Sequence, residues 1–180
     1  EPVPSLFTFQ IKDQRIKELS GISVPEAELT LGKLSQRGVL LITHWGLSGP
    51  AVLKLSAWGA RELHECNYKT ELKVNWLAGV SESELREKLL KTKESSPRQI
   101  IAAHPQLSLP SRLWERLVAA AGVAESLRWA ELSKKELQHV RALKAKEQRV
   151  KVYRRLQALE LASQKNPYKE IATVIGVSVD

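Results

Sequence analysis

The chain has few of the residues that form disulfides, cysteine-rich metal sites or membrane-spanning segments. Cys66 is the single cysteine among 180 residues, which excludes an internal disulfide and a zinc site made of several cysteines. No apolar run approaches the roughly 20 residues that span a bilayer, and the first residues lack the basic segment of a signal peptide. These absences predict a protein of the reducing cytoplasm with no membrane partner.

Two further absences concern the extent of the protein and its ligands. The sequence contains no methionine, which predicts that it is a piece of a longer protein. It also contains no G-x-G-x-x-G string, the turn with which a doubly wound domain holds a dinucleotide. The four histidines show no metal-ligand spacing, so we expect no metal site.

Basic residues are concentrated near the end of the chain. Residues 134–170 hold 11 Lys and Arg against 4 Asp and Glu, within a total formal net charge of +8. The stretch KAKEQRVKVYRRLQALELASQ predicts one long basic helix, with an apolar side that includes Val150, Tyr153 and Leu156. Its basic face either contacts phosphate groups or is simply solvated.

Apolar periodicity divides the chain into three parts and predicts an α+β fold. Residues 1–79 carry the alternation typical of strands, as in Ser5–Gln10 and Tyr68–Leu77, together with one helix from Pro50 to His64. Residues 80–144 favour a small helical bundle, and residues 145–180 a basic helical tail.

The predicted bundle has clear local signals. Ser81 and Glu84 have the spacing of a capping box, which begins a helix. A further helix is expected after Pro110, with Gly122 closing it. Trp114 and Trp129 are expected to be its packing anchors, because large aromatic side chains bury the most apolar surface.

The segment VLLITHWGLSGPAVLKLSAW, residues 39–58, is the most informative one. A buried strand is expected first, then a Gly-rich turn, then a helix with Ser48 as its N-cap and Pro50 in its first turn. Free backbone N–H groups at such a turn suit an anion. The alternative is that glycine and serine only allow the backbone to bend.

The same segment closely resembles a signature of the FAD-dependent flavoproteins similar to bile-acid reductases and aminoacetone oxidases. The strings PSLFTFQIKD, VPEAELTLGKLSQRG and AELSKKEL resemble the same family in the same order, so the resemblance covers about residues 2–137. In that family the flavin is held by a doubly wound domain whose Gly-rich turn is missing here. The resemblance therefore implies the region inserted into the flavin domain, a small antiparallel β-barrel followed by a helical bundle.

The resemblance also implies a function. The parent would be an NAD(P)H-type oxidoreductase with FAD in the full-length protein, and the flavin-binding domain would be the partner of this chain. The chain alone would bind no FAD tightly, would be inactive, and would cover the substrate side of the active site. The loop expected to face that site consists of Thr43, His44, Gly46, Ser48 and Gly49. His44 would act there as a general acid or base, or would only make a structural hydrogen bond.

The end of the chain departs from this family. YKEIATVIGVSVD, residues 168–180, resembles the start of the helix-turn-helix of transposases and site-specific resolvases. This alternative implies weak, non-specific DNA binding through basic residues of the tail, namely Arg154, Arg155, Lys165 and Lys169. One interpretation is a junction between two genes near residues 140–145, and the other is a flavoprotein with a lengthened basic helix.

Overall fold

The computed structural model describes residues 3–135, 137–138 and 140 in full, and the backbone alone of residues 148–154. The strands in this part are β1 Phe9–Ile11, β2 Ser23–Leu31, β3 Leu34–Ile42, β4 Gly46–Ser48, β5 Lys69–Asn75 and β6 Gln148–Arg154. The helices are α1 Pro50–Trp58, α2 Ala60–Glu65, α3 Glu82–Ser95 and α4 Ser111–Ala120, followed by a 3-10 turn at Trp129–Glu131. The fold is therefore mixed α+β, as the sequence predicts.

The strands form one antiparallel sheet that closes on itself. Their order is β1–β4–β3–β2–β5–β6, and β6 returns to pair with β1. The long β2–β3 hairpin turns at Gly32–Lys33, where Gly32 has a φ of +53°. Alternate residues along much of β2, at the end of β3 and in β5 are buried, which gives the barrel its apolar interior. Closure pairs both edges of the sheet, so no described strand presents a free edge.

Strand β6 corrects the prediction of a basic helical tail. Residues 148–154 pair with β5 from Val74 opposite Gln148 to Lys69 opposite Tyr153, and with β1 at Phe9 opposite Arg154. Within QRVKVYR the stretch from Arg149 to Val152 alternates basic and β-branched residues, and Tyr153 follows. This composition favours a strand wherever open sheet edges are available. β1 and β5 supply two such edges. Residues 155–180, with the helix-turn-helix prediction and Arg155, Lys165 and Lys169, lie outside the described residues.

Two other element boundaries also differ from their predictions. The helix predicted from Pro50 to His64 is two helices, because Gly59 ends α1 and precedes α2. A Cβ at Gly59 would lie 2.9 Å from Leu31, so glycine permits α1 to pack closely on the barrel. The strand predicted at Ser5–Gln10 begins only at Phe9, because Leu6 has a φ of +59° and interrupts the extended backbone.

The helical part follows its sequence signals and shares its core with the barrel. The Ser81 hydroxyl accepts a hydrogen bond from the Glu84 backbone N–H at 3.2 Å, and the Glu84 carboxylate accepts one from the Ser81 backbone N–H at 2.7 Å, which confirms the capping box. Trp114 and Trp129 are buried, as predicted. Their side chains belong to the same continuous cluster as the barrel interior, so a single core joins the two predicted parts.

Candidate functional site

A cleft of about 600 Å³ opens at the end of the barrel where β1 and β3 finish and β2 and β4 begin. One wall is the connection between β1 and β2, which contributes several of residues 11–20. The opposite wall is the turn between β3 and β4, through Thr43, His44 and Gly46. The closed sheet fixes both walls, since each begins and ends in a paired strand.

The first wall is organised by Asp13 and Arg15. The Arg15 backbone N–H donates to the Asp13 carboxylate at 2.8 Å, and its Nε donates to both carboxylate oxygens at 2.9 and 3.0 Å within an ion pair. Burial of the carboxyl group raises the pKa of Asp13, but these hydrogen bonds and the Arg15 charge outweigh it, so the pKa lies below its ordinary value. Asp13 is therefore ionised at neutral pH and neutralises Arg15.

The same wall is held from outside by α4. Arg112 donates to the Glu18 backbone carbonyl at 2.7 Å, and Arg116 donates to the Glu18 carboxylate at 3.0 Å. Glu18 has a φ of +65°, a backbone conformation that side chains rarely adopt. The neighbouring Ile16 and Leu19 are buried, so the wall is fixed on both its inner and outer sides.

The second wall is a tight turn pinned by Thr43. Its hydroxyl accepts from the Gly46 N–H at 3.2 Å, and its backbone N–H donates to the Gly46 carbonyl at 2.8 Å. The Trp45 carbonyl accepts from the Ile11 N–H at 2.8 Å, which ties the tip of the turn to the end of β1. His44 is exposed in the cleft and makes no side-chain hydrogen bond with the described part of the chain. The structural hydrogen bond that was one of the two expectations for His44 is therefore not formed with any described residue.

The structure brings together three of the five predicted loop residues. Thr43, His44 and Gly46 line the cleft, whereas Ser48 and Gly49 follow at the far end of β4. The prediction of Ser48 as N-cap is wrong. Ser48 is paired with Leu41 in the sheet, and Gly49 takes the N-cap position of α1 with a φ of +99° and no side-chain capping bond.

Sequence reasoning missed the other wall. Lys12, Asp13, Arg15 and Lys17 were not predicted as site residues, although PSLFTFQIKD ends inside this wall. That string was a usable signal, because it resembles the same family as the β3–β4 turn. Its charged end had no helical or strand periodicity to show which way it faces.

Most of the chain is similar to one family of proteins. The model described as HI0933-like protein barrel and H2TH domain matches residues 3–160. The chain belongs to this family. Its members are FAD-dependent oxidoreductase-like proteins, so the predicted resemblance is confirmed at this level. The match continues through residues 140–145, where a gene junction was predicted, and the transposase resemblance finds no support.

The chain is also similar to a protein named ribosomal RNA dihydrouridine synthase, from Haemophilus influenzae. It is 33% identical over 110 residues, which cover 61% of this chain and 25% of that protein. The matched region thus spans about a quarter of the length of this relative.

The predicted anion-binding turn between β3 and α1 does not fit a flavin phosphate. The glycines of the predicted anion-binding turn are explained by packing: a Cβ on Gly46 would overlap the Phe9 carbonyl, and one on Gly49 would lie 2.9 Å from the Val39 carbonyl. The first turn of α1 is uncharged, and its Ala51 and Val52 are fully buried. The alternative interpretation, that glycine only permits the chain to bend and approach, therefore accounts for this loop.

The predictions about metals, membranes and DNA concern other parts of the chain. Within the described ranges no group of three His, Cys, Asp or Glu residues is placed to hold a metal ion. None of the helices described is long and apolar enough to cross a membrane. Of the four residues predicted to contact DNA, only Arg154 is described, as backbone at the end of β6. Weak DNA binding stays an untested prediction.

Proposed function

We propose that this chain is the region of an FAD-dependent, NAD(P)H-type oxidoreductase that covers the substrate side of the active site. The cleft carries this proposal, because it is built by the β3–β4 turn of the family signature and by the 12–20 connection. FAD would belong to the full-length protein, held by its flavin-binding domain, and would supply the hydride-transfer chemistry. The chain alone would neither bind FAD tightly nor turn over substrate.

On this proposal the residues of the cleft position the substrate and exclude water. Thr43 holds the turn in one conformation through its two bonds to Gly46. His44 is exposed beside it, and its imidazole is the cleft group proposed to act as a general acid or base. The Asp13–Arg15 pair keeps the opposite wall in shape.

The substrate class proposed is RNA. Support comes from the relative named ribosomal RNA dihydrouridine synthase, which shares a third of the aligned residues. The basic composition of the chain agrees with a polyanionic substrate.

The test uses the full-length protein that contains this chain. FAD is expected to copurify with it, and His44→Ala is expected to slow substrate-dependent reoxidation of the reduced flavin while the flavin content stays the same. His64→Ala is the matched control, because His64 is exposed on α2, and Glu62 of this helix lies against Gly32 in the β2–β3 turn at the opposite end of the barrel. Stoichiometric flavin on residues 1–180 alone, or loss of flavin in the His44 variant, would contradict the proposal.

A further inference from the structure

We propose that Lys12, Lys17 and Trp45 form a contact site for single-stranded RNA at the mouth of the cleft. The two ammonium groups would bind phosphates and the indole ring would stack on an unpaired base. This inference rests on the proposed function for its choice of RNA, and it adds the residues that would hold the RNA chain.

Both acidic side chains of the first wall form ion pairs with arginines. The Asp13 carboxylate is paired with Arg15, and the Glu18 carboxylate with Arg116. Lys12 and Lys17 are exposed and form no ion pair or hydrogen bond with the described part of the chain. Both acidic groups of the wall are therefore neutralised by arginines, and the lysines leave a net positive surface that attracts phosphate.

Trp45 differs from the buried tryptophans of the core. Its side chain is 54% exposed, whereas Trp76, Trp114 and Trp129 are at most 3% exposed. Trp45 lies between His44 and Gly46, which both line the cleft. Proteins hold single strands with exposed aromatic rings combined with basic groups, because every base offers a face for stacking.

One backbone hydrogen bond brings Trp45 close to the residue that precedes Lys12. The Ile11 N–H donates to the Trp45 carbonyl at 2.8 Å, and Lys12 follows Ile11 directly in the chain. The position of Trp45 relative to Lys12 is thus set by the barrel backbone. Because Arg112 also holds Glu18, next to Lys17, all three contact residues lie on fixed backbone.

The experiment measures binding of a short fluorescent single-stranded oligoribonucleotide to the full-length protein by anisotropy, over a range of salt concentrations. Trp45→Ala is expected to weaken binding by roughly 5- to 150-fold, with Trp45→Phe retaining most of the affinity. The double variant Lys12→Ala, Lys17→Ala is expected to reduce the slope of log affinity against log salt by about 1.4, since each phosphate contact on a single strand contributes about 0.7.

Matched controls come from the opposite end of the barrel. Trp58→Ala removes a tryptophan that is 74% exposed at the end of α1, and Lys33→Ala removes an exposed lysine of the β2–β3 turn. Neither control is expected to change RNA affinity or its salt dependence. Thermal unfolding of every variant separates a lost contact from a lost fold, and the Trp45→Phe variant keeps the ring if Trp45→Ala fails to fold.

Three results would overturn the inference. They are equal losses in the cleft variants and their controls, an unchanged salt slope in the double lysine variant, and displacement of the RNA by polyglutamate of equal charge, which would make the cleft a general anion surface. Flavin content and NAD(P)H oxidation are measured on the same samples. If the cleft variants keep normal flavin chemistry and bind RNA as tightly as the parent, this inference alone is refuted. If the full-length parent protein contains no flavin, the proposed function is refuted.

Discussion

The buried hydroxyl of Ser56 accepts a hydrogen bond from the backbone N–H of Phe7 at 3.0 Å. It donates in turn to the Leu53 carbonyl at 2.9 Å, so it joins the segment before β1 to helix α1. Ser56 is fully buried and is the one buried polar side chain in the described part of the chain. A buried donor that loses its partner keeps its full desolvation cost.

Replacing Ser56 by alanine is therefore expected to destabilise the fold by about 1–3 kcal/mol, because the Phe7 N–H is left unsatisfied. Urea denaturation at neutral pH measures the change. Ser126→Ala removes an exposed hydroxyl and should stay within about 0.5 kcal/mol of the parent. Equal stability of the two variants would show that the Ser56 contact contributes nothing.

The two buried tryptophans of the helical part should respond differently to phenylalanine. Trp114 donates from Nε1 to the Ile101 carbonyl at 2.7 Å, whereas Nε1 of Trp129 is buried with no partner among the described residues. Both substitutions shrink the ring, but only Trp114→Phe breaks a hydrogen bond. We expect Trp114→Phe to be the more destabilising by about 1–3 kcal/mol in urea denaturation. The reverse order would mean that the Trp129 indole has a partner.

Gly46 and Gly122 both have positive φ, of +152° and +78°, but only Gly46 is enclosed. A Cβ on Gly46 would overlap the Phe9 carbonyl, while one on Gly122 has nothing within 4 Å. Gly122→Ala is expected to cost about 1–2 kcal/mol from backbone strain alone. Gly46→Ala carries an overlap with β1 as well, so its melting temperature should fall further. Equal melting temperatures would contradict the close approach of β4 to β1.

Asp13 predicts a pH dependence of stability. Its pKa is lowered from the ordinary 3.8, so the folded state favours the ionised carboxylate. Its contribution is complete above the unfolded-state pKa and is lost as the pH falls through the lower folded-state pKa. The stability difference between the parent and Asp13→Asn should therefore be constant near neutral pH and shrink in the acid range below 3.8.

Urea midpoints of the parent and the Asp13→Asn variant, measured between neutral and acidic pH, test this dependence. Glu125→Gln is the control, since Glu125 is exposed and lies outside the cleft. A difference between parent and Asp13→Asn that stays constant into the acid range would show that the Arg15 contacts do not lower the pKa.

The sequence determined the features that depend on neighbouring residues. The Ser81–Glu84 capping box and the start of α4 after Pro110 involve residues within one helical turn, so their signals are complete in a short window. The alternation that predicts β5 is equally local, and it correctly buries Leu72 and Val74. The family signature also placed Thr43, His44 and Gly46 in a common loop, and all three line the cleft.

Only the tertiary structure decided the rest, because the partners are distant in the chain. Residues 148–154 form a strand because β1 and β5 each have backbone N–H and C=O groups that need a partner strand. A local pattern of basic and apolar residues contains no information about those distant groups. The cleft likewise depends on Glu18 meeting Arg112 and on Ile11 meeting Trp45. Closure of the barrel is what turns two separate loops into one site.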